Sequence, residues 1–218
     1  MLNLIAAVLA AGLVSQDRPV ESFHALSLSG GIEATVKKGA KPGLKLTGEP
    51  EDLAKIDSAV KGGKLVVGPK QSAWRVGHVT AEITVTSLDS LEASGGVVVK
   101  GLGLEGKRCA IDLSGGVQVE LDGMACEALG LEASGGAGVK LAGTAKSLDL
   151  DASGGVQLET RSLAVSQAKI RASGGVNGGL AVADALDADL SGGVQLKVKG
   201  HPKVARADTS GAAKLTYE

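Results

Sequence analysis

The tripeptide Ser-Gly-Gly begins at Ser29, Ser94, Ser114, Ser134, Ser153, Ser173 and Ser191, and a Ser-Gly-Ala version begins at Ser210. From Ser94 onward the intervals are 20, 20, 19, 20, 18 and 19 residues. The flanks repeat as well: "DLSGGVQVEL", "EASGGAGVKL", "DASGGVQLET" and "DLSGGVQLKV" are near-copies of one another. A fixed period of this length marks a solenoid in which each repeat is one coil. A single coil cannot bury its own apolar face, so the core exists only where coils stack.

Within a repeat the apolar residues alternate. Three and one before the Ser stand Ile111 and Leu113, Leu131 and Ala133, Leu150 and Ala152. Three and five after it stand Val117 and Val119, Val156 and Leu158, Val194 and Leu196. A period of two is the pattern of a strand, not a helix. The residue after each Ser also falls on the inward parity, yet it is always Gly, which marks a tight backbone bend. The expected fold is all-β: a parallel β-helix, right-handed by the general crossover preference. Its coils are of about 20 residues, stacked ~4.8 Å apart.

Composition agrees with a slender core. The chain of 218 residues has one Phe, one Tyr and one Trp, and Val, Leu, Ile and Ala must therefore fill the interior. Thirty-three Gly beside 5 Pro and 44% apolar residues exclude both a disordered linker and a collagen repeat. A net charge of −1 gives no basic field for nucleic acid.

Residues 1–16 read as a signal peptide. "MLNLIAAVLAAGLVS" is too short for a membrane span, which needs ~20 apolar residues, and its Ala-rich end suits cleavage between Ala10 and Gln16. A buried first strand or helix is the alternative. No membrane span is expected in the mature chain, 17–218, which reads as one domain: less regular coils over 17–90, regular Ser-Gly-Gly coils over 91–218. Between Ser29 and Ser94 lies room for about three coils without the motif. There "GEPEDLAKID" (48–57) breaks the alternation as a short helix or loop, and "GGKLVVG" (62–68) and "VTAEITV" (79–85) resume it. "PKQSAWRVGH" (69–78) reads as an exposed loop with Trp74 capping the core or marking a contact surface.

"RPVESFHALSLSGGIEATVKKG", "LTGEPEDLAKIDSAVKGGKLVVG", "VTAEITVTSLDSLEASGG" and the later coils together resemble the head GIN-domain family over roughly residues 20–218. That resemblance implies an exported bacterial β-helix described as an autotransporter adhesin, with no established catalytic residues to carry over. An autotransporter uses a membrane barrel of many alternating strands of ~10 residues. Residues 1–218 contain no such series, the last coil being followed only by "KLTYE".

Stacking turns outward positions into columns. Six after each Ser come Lys100, Glu120, Lys140, Glu159, Gly179 and Lys197, whose alternating signs suit neighbouring coils. Four after it, Gln118, Gln157, Asn177 and Gln195 form an amide column interrupted by Gly138. Two before it, Glu92, Asp112, Glu132 and Asp151 form an acidic ladder beside the Ser hydroxyls, followed by Arg171, Asp189 and Asp208. An oxygen-rich groove of this kind suits Ca²⁺, which takes 6–8 oxygen ligands; a solvated acidic face is the plainer alternative.

Cys109 and Cys126 lie about one coil apart but offset by three residues. Export permits a disulfide, but the bond needs Cα atoms within ~7 Å; two buried thiols are expected, with a Cys109–Cys126 disulfide the alternative. "GLGLEG" (101–106) matches a dinucleotide motif but has no helix after it. His24, His78 and His201 are scattered, and no nucleophile-elbow or zinc-protease motif occurs.

The expected function is a non-enzymatic exported β-solenoid of the bacterial cell envelope, periplasmic, surface-bound or secreted, offering a binding or adhesive face to an envelope or extracellular ligand. No cofactor is expected apart from Ca²⁺ on the ladder. A structural polymer of solenoids joined end to end through open strand edges is the alternative. A Ca²⁺-dependent polysaccharide-active enzyme using Arg171 is a third possibility.

Overall fold

The computed structural model describes residues 5–8, 12–71 and 75–218. The chain is 74% strand and 2% helix, coiled in about six stacked parallel turns of about 20 residues. The long strands Gln118–Gly135, Gly138–Gly154 and Gln157–Gly174 each wrap most of one turn. Just before these strands, in the bend after each Ser-Gly-Gly, Val117, Ala137 and Val156 lie inside at no more than 1% exposure. The interior is one continuous aliphatic column of Leu, Val, Ile and Ala, with Phe23 the single buried ring among the described residues. This is the β-solenoid the repeat specifies.

Register is residue on equivalent residue. Ser94 pairs with Ser114, Ser114 with Ser134, Ser134 with Ser153, Ser153 with Ser173, and Ser173 with Ser191. The first Gly of each motif has positive φ, +83° at Gly135 and +91° at Gly154. These glycines sit at an exposed corner rather than pointing into the core. A Cβ on Gly154 would stand 2.8 Å from the carbonyl oxygen of Gly135 in the coil beneath. The side chain is thus excluded by the neighbouring coil along the stack, a different reason from the inward bend the parity suggests.

The segment before Ser94 departs from expectation. Ser29 pairs directly with Ser94, so no coils lie between them. The 64 residues between these serines instead fold outward. Lys64–Pro69 lies outside Ala25–Ser29, and Val79–Val85 lies outside Ile32–Lys38, both in parallel. Beyond them Gly43–Gly48, Val14–Arg18 and Ile56–Lys61 add antiparallel strands. The helix Pro50–Leu53 fills the expected break in alternation, starting at a Pro that suits the first helical turn. Leu53 and Ile56 are fully buried there, so this end of the core is closed.

Strand Val14–Arg18 belongs to the folded body, with Ser15 buried and its Oγ 2.8 Å from Thr47 Oγ1. Ile5–Val8, inside the expected signal segment, pairs antiparallel with it. Part of the expected cleavage window, residues 10 and 11, lies outside the described residues, as does Trp74.

Cys109 and Cys126 form a disulfide, with Cα atoms 6.1 Å apart, which corrects the expectation of free thiols. The register is as expected, Cys109 beside Leu129 and Cys126 beside Gly106. However, the pairing skips Lys107 and Glu127, where both coils turn a corner. Two inward side chains approaching that corner from adjacent walls converge, and the bend removes the offset that sequence distance suggests.

Candidate functional site

The Ser-Gly-Gly corner separates two outer walls. On the wall before it, backbone pairing stacks Glu92, Asp112, Glu132, Asp151, Arg171, Asp189 and Asp208 in one column. Ser94, Ser114, Ser134 and Ser153 run beside the four leading carboxylates, and together they line a groove of about 380 Å³. Both ends of the acidic run meet cations. Lys64 Nζ donates to Glu92, and Arg171 Nη1 lies 3.3 Å from Asp149 Oδ1 and 3.7 Å from Asp151 Oδ2. Partial burial, and next the charge of Glu92, push the Asp112 carboxyl above its usual range, with Lys64 opposing.

Among the described residues no three His, Cys, Asp or Glu side chains gather as a metal cluster. Glu92, Asp112, Glu132 and Asp151 stand as separate rungs rather than a cage. Arg171, the basic residue the enzymatic alternative needs, is occupied by Asp149 and Asp151.

The wall after the corner carries the amide column. Gln118 pairs with Gly138, Gly138 with Gln157, Gln157 with Asn177, Asn177 with Gln195, and Gln195 with Lys214. The charged column beside it is also in register, Lys100 on Glu120, Glu120 on Lys140 and Lys140 on Glu159. The Lys140 ammonium hydrogen-bonds Glu120, holding that carboxyl below its usual range and raising its own pKa. These pairs are exposed and add little stability.

This wall is hollowed into a groove of about 920 Å³ whose lining includes Gln157, Asn177, Gln195, Lys140, Glu159 and Arg161. The hollow arises from a short coil. The repeat from Ser173 to Ser191 has 18 residues, and the register moves from Thr160–Leu180 to Ala164–Ala181, leaving Arg161, Ser162 and Leu163 unmatched. Gly178 lies against the Leu158 carbonyl, and Arg161 folds across Gly179 where a side chain would stand. Arg161 Nη2 and Lys197 Nζ reach Glu218 Oε1 at 3.4 and 3.5 Å. The amide column stands where the repeat spacing predicts it, whereas the hollow does not follow from that spacing. Its signal was present in the single 18-residue interval together with "NGG" (177–179).

The remaining motifs are structural. In "GLGLEG", Gly101 packs on the backbone of Val36, and Gly103 on Met124, between strands. His24 Nδ1 sits 3.1 Å from Asp89 Oδ1, His78 Nε2 sits 3.8 Å from Glu33 Oε2, and His201 is exposed on the last turn.

Fold and columns together define a parallel β-solenoid with two grooved polar walls. The chain belongs to the family described as "Putative auto-transporter adhesin, head GIN domain", whose model matches residues 22–202. Among solved structures it is similar to a putative adhesin from Bacteroides fragilis, with 21% identity, a TM-score of 0.83, and coverage of 94% of this chain and 96% of that one. It also resembles a putative adhesin from Parabacteroides merdae, with 19% identity, a TM-score of 0.65 and coverage of 96% and 97%. A third neighbour is called a putative lipid binding protein from Parabacteroides distasonis, with 13% identity, a TM-score of 0.72 and coverage of 96% and 98%. At these identities the likeness concerns the fold. No curated protein matches the chain significantly. The adhesin-like family suggests an exported or surface protein, and no described helix is long and apolar enough to cross a membrane.

Proposed function

We propose that this chain is a non-enzymatic, exported binding protein of the bacterial cell envelope, and that its amide-lined wall holds a repetitive polar polymer such as a glycan. The observation that carries this reading is the register of Gln157, Asn177 and Gln195, each one coil from the next inside the larger groove. Rungs ~4.8 Å apart present both donors and acceptors at a regular spacing. That suits a ligand whose own hydroxyls recur. The Cys109–Cys126 disulfide supports export, since such bonds persist in oxidising compartments. With few aromatic rings available for stacking, affinity must come from hydrogen bonds and from Lys140, Arg161 and Lys197.

The test is co-sedimentation of the purified protein with insoluble envelope polysaccharides and peptidoglycan, beside a soluble glycan panel. Replacing Gln157 and Gln195 by Ala removes two amides at about 1 kcal/mol each, which weakens binding about thirty-fold. Undiminished binding by that double variant sinks the amide-wall assignment. Turnover of any panel polysaccharide, abolished by EDTA, sinks the non-enzymatic one.

A further inference from the structure

The two ends of the solenoid differ. One is closed by the helix Pro50–Leu53 and antiparallel strands over buried Leu53, Ile56 and Phe23. At the other, Lys203–Gly211 and Lys214–Tyr217 stack on the preceding coil through one edge only, and no described strand pairs with the opposite edge.

That last turn cuts the core open. Its inward residues Val204, Ala207 and Thr209 pair with Leu186, Ala188 and Leu190, and Leu215 and Tyr217 pair with Leu196 and Val198. The five residues beneath are at most 1% exposed, whereas Val204 is 42% and Tyr217 44% exposed. Free backbone groups beside an apolar surface make an edge that templates pairing with another chain.

Charge indicates which chain fits. Arg206 and Asp208 flank the inward Ala207, and the Arg206 Nε donates to Asp208 Oδ2 at 2.7 Å. Antiparallel pairing of this strand with itself, with a two-fold axis at Ala207, sets Arg206 opposite Asp208 of the second copy and the reverse. Opposite charges across such a pair are favourable, and a self-complementary patch is what a two-fold interface requires.

We infer that Lys203–Gly211 is a homodimer interface, two copies meeting open end to open end about a two-fold at Ala207. This is independent of the glycan reading. Assembly stops at two because each dimer then presents only the ends at which the apolar core is covered, Leu53 and Ile56 being fully buried there, which distinguishes it from an open polymer.

Sedimentation of the wild-type chain over a wide concentration range should show monomer and dimer only. A monomer throughout, or species larger than a dimer, overturns the inference. Arg206→Asp alone and Asp208→Arg alone each place like charges across the axis and should shift dissociation at least ten-fold. Mixed one to one, they should restore the dimer, because each then faces its opposite. Loss of a purely intrachain Arg206–Asp208 pair would leave the mixture as monomeric as its components, which also counts against the interface. Ala207→Cys gives a readout that does not depend on those charges. Paired Cα atoms about 4.5–5.5 Å apart fall within disulfide range, so this variant should cross-link to itself on mild oxidation. A Lys61→Cys control on the closed end should not. Equal cross-linking of both variants refutes the register.

Discussion

In the motifs from Ser94 to Ser191 the two glycines are adjacent and chemically identical, yet only the first has left-handed φ, and the structure assigns them opposite tolerances. Gly154 has φ of +91°, and a Cβ there would lie 2.8, 3.1 and 3.3 Å from the O, N and Cα of Gly135. Gly155 has no left-handed φ, and its nearest neighbour would be the same carbonyl oxygen at an ordinary 3.7 Å. For Gly154→Ala the left-handed backbone costs about 1–2 kcal/mol. Forcing two coils apart costs about 1–3 kcal/mol more, and a stiffer unfolded chain returns about 0.4–1 kcal/mol. The expected net loss is about 3 kcal/mol, or roughly 6–12 °C in Tm for a domain of this size. Gly155→Ala keeps only the unfolded-state gain and should be neutral or stabilised by up to about 1 kcal/mol. Thermal and urea unfolding followed by circular dichroism compares the two. Equal losses, or a neutral Gly154→Ala, would refute the claim that the coil beneath excludes the side chain.

Other expectations follow from the same geometry. Replacing both Cys109 and Cys126 by Ala opens a loop with a sequence separation of 17, costing about 3 kcal/mol; urea titration of the pair variant beside reduced wild type checks this. Asp112 binds its proton more tightly folded than unfolded, so stability falls as pH rises past its ordinary value of 3.8 and through the higher folded pKa. Asp112→Asn should therefore raise Tm by about 1–2 °C at pH 7, reflecting a few tenths of a kcal/mol for an exposed rung, and leave it unchanged at pH 3. Asp52 has the opposite sign: the Gly77 backbone N–H, then Lys55, hold its carboxyl below 3.8. Its contribution is complete above that value and is lost as pH falls through the folded pKa, so Asp52→Asn should lower Tm at pH 7 and converge with wild type in acid. Calorimetric titration of the ladder with Ca²⁺ should give no heat at millimolar concentration, since Lys64 and Arg171 already engage its ends; micromolar binding lost in Asp112→Asn would restore the cation reading.

What the sequence revealed was set by periodicity. Ile111, Leu131 and Leu150 recur at one place in each repeat, and stacking follows because none of them can be buried within a single coil. The columns of Glu92 to Asp151 and Gln118 to Gln195 came with the register, residue for residue. Where the period failed, so did the reading. Leu44, Leu46 and Ile56 alternate as any strand does, and nothing local distinguishes antiparallel pairing outside the stack from another parallel coil. Cys109 and Cys126 were judged by separation along the chain, and the corner at Lys107 and Glu127 that joins them leaves no mark in the alternation.

The groove on the amide wall shows how a repeat of this kind acquires a site. Inward aliphatics and the first Gly of each motif determine the path of every coil, leaving the columns two before and four after the Ser free to differ. Yet the hollow comes from none of those free side chains. It comes from the coil between Ser173 and Ser191 being two residues shorter than its 20-residue neighbour, with Gly178 drawn onto the Leu158 carbonyl. A solenoid can thus change its surface relief by length at one corner while its core register stays intact on either side. Restoring the missing length tests this directly. Two residues inserted after Gly179 should lift that coil level with its neighbours, fill the groove, and remove ligand binding while leaving the Ser173–Ser191 pairing and the melting cooperativity in place. Binding that survives a filled groove would move the ligand off this wall altogether.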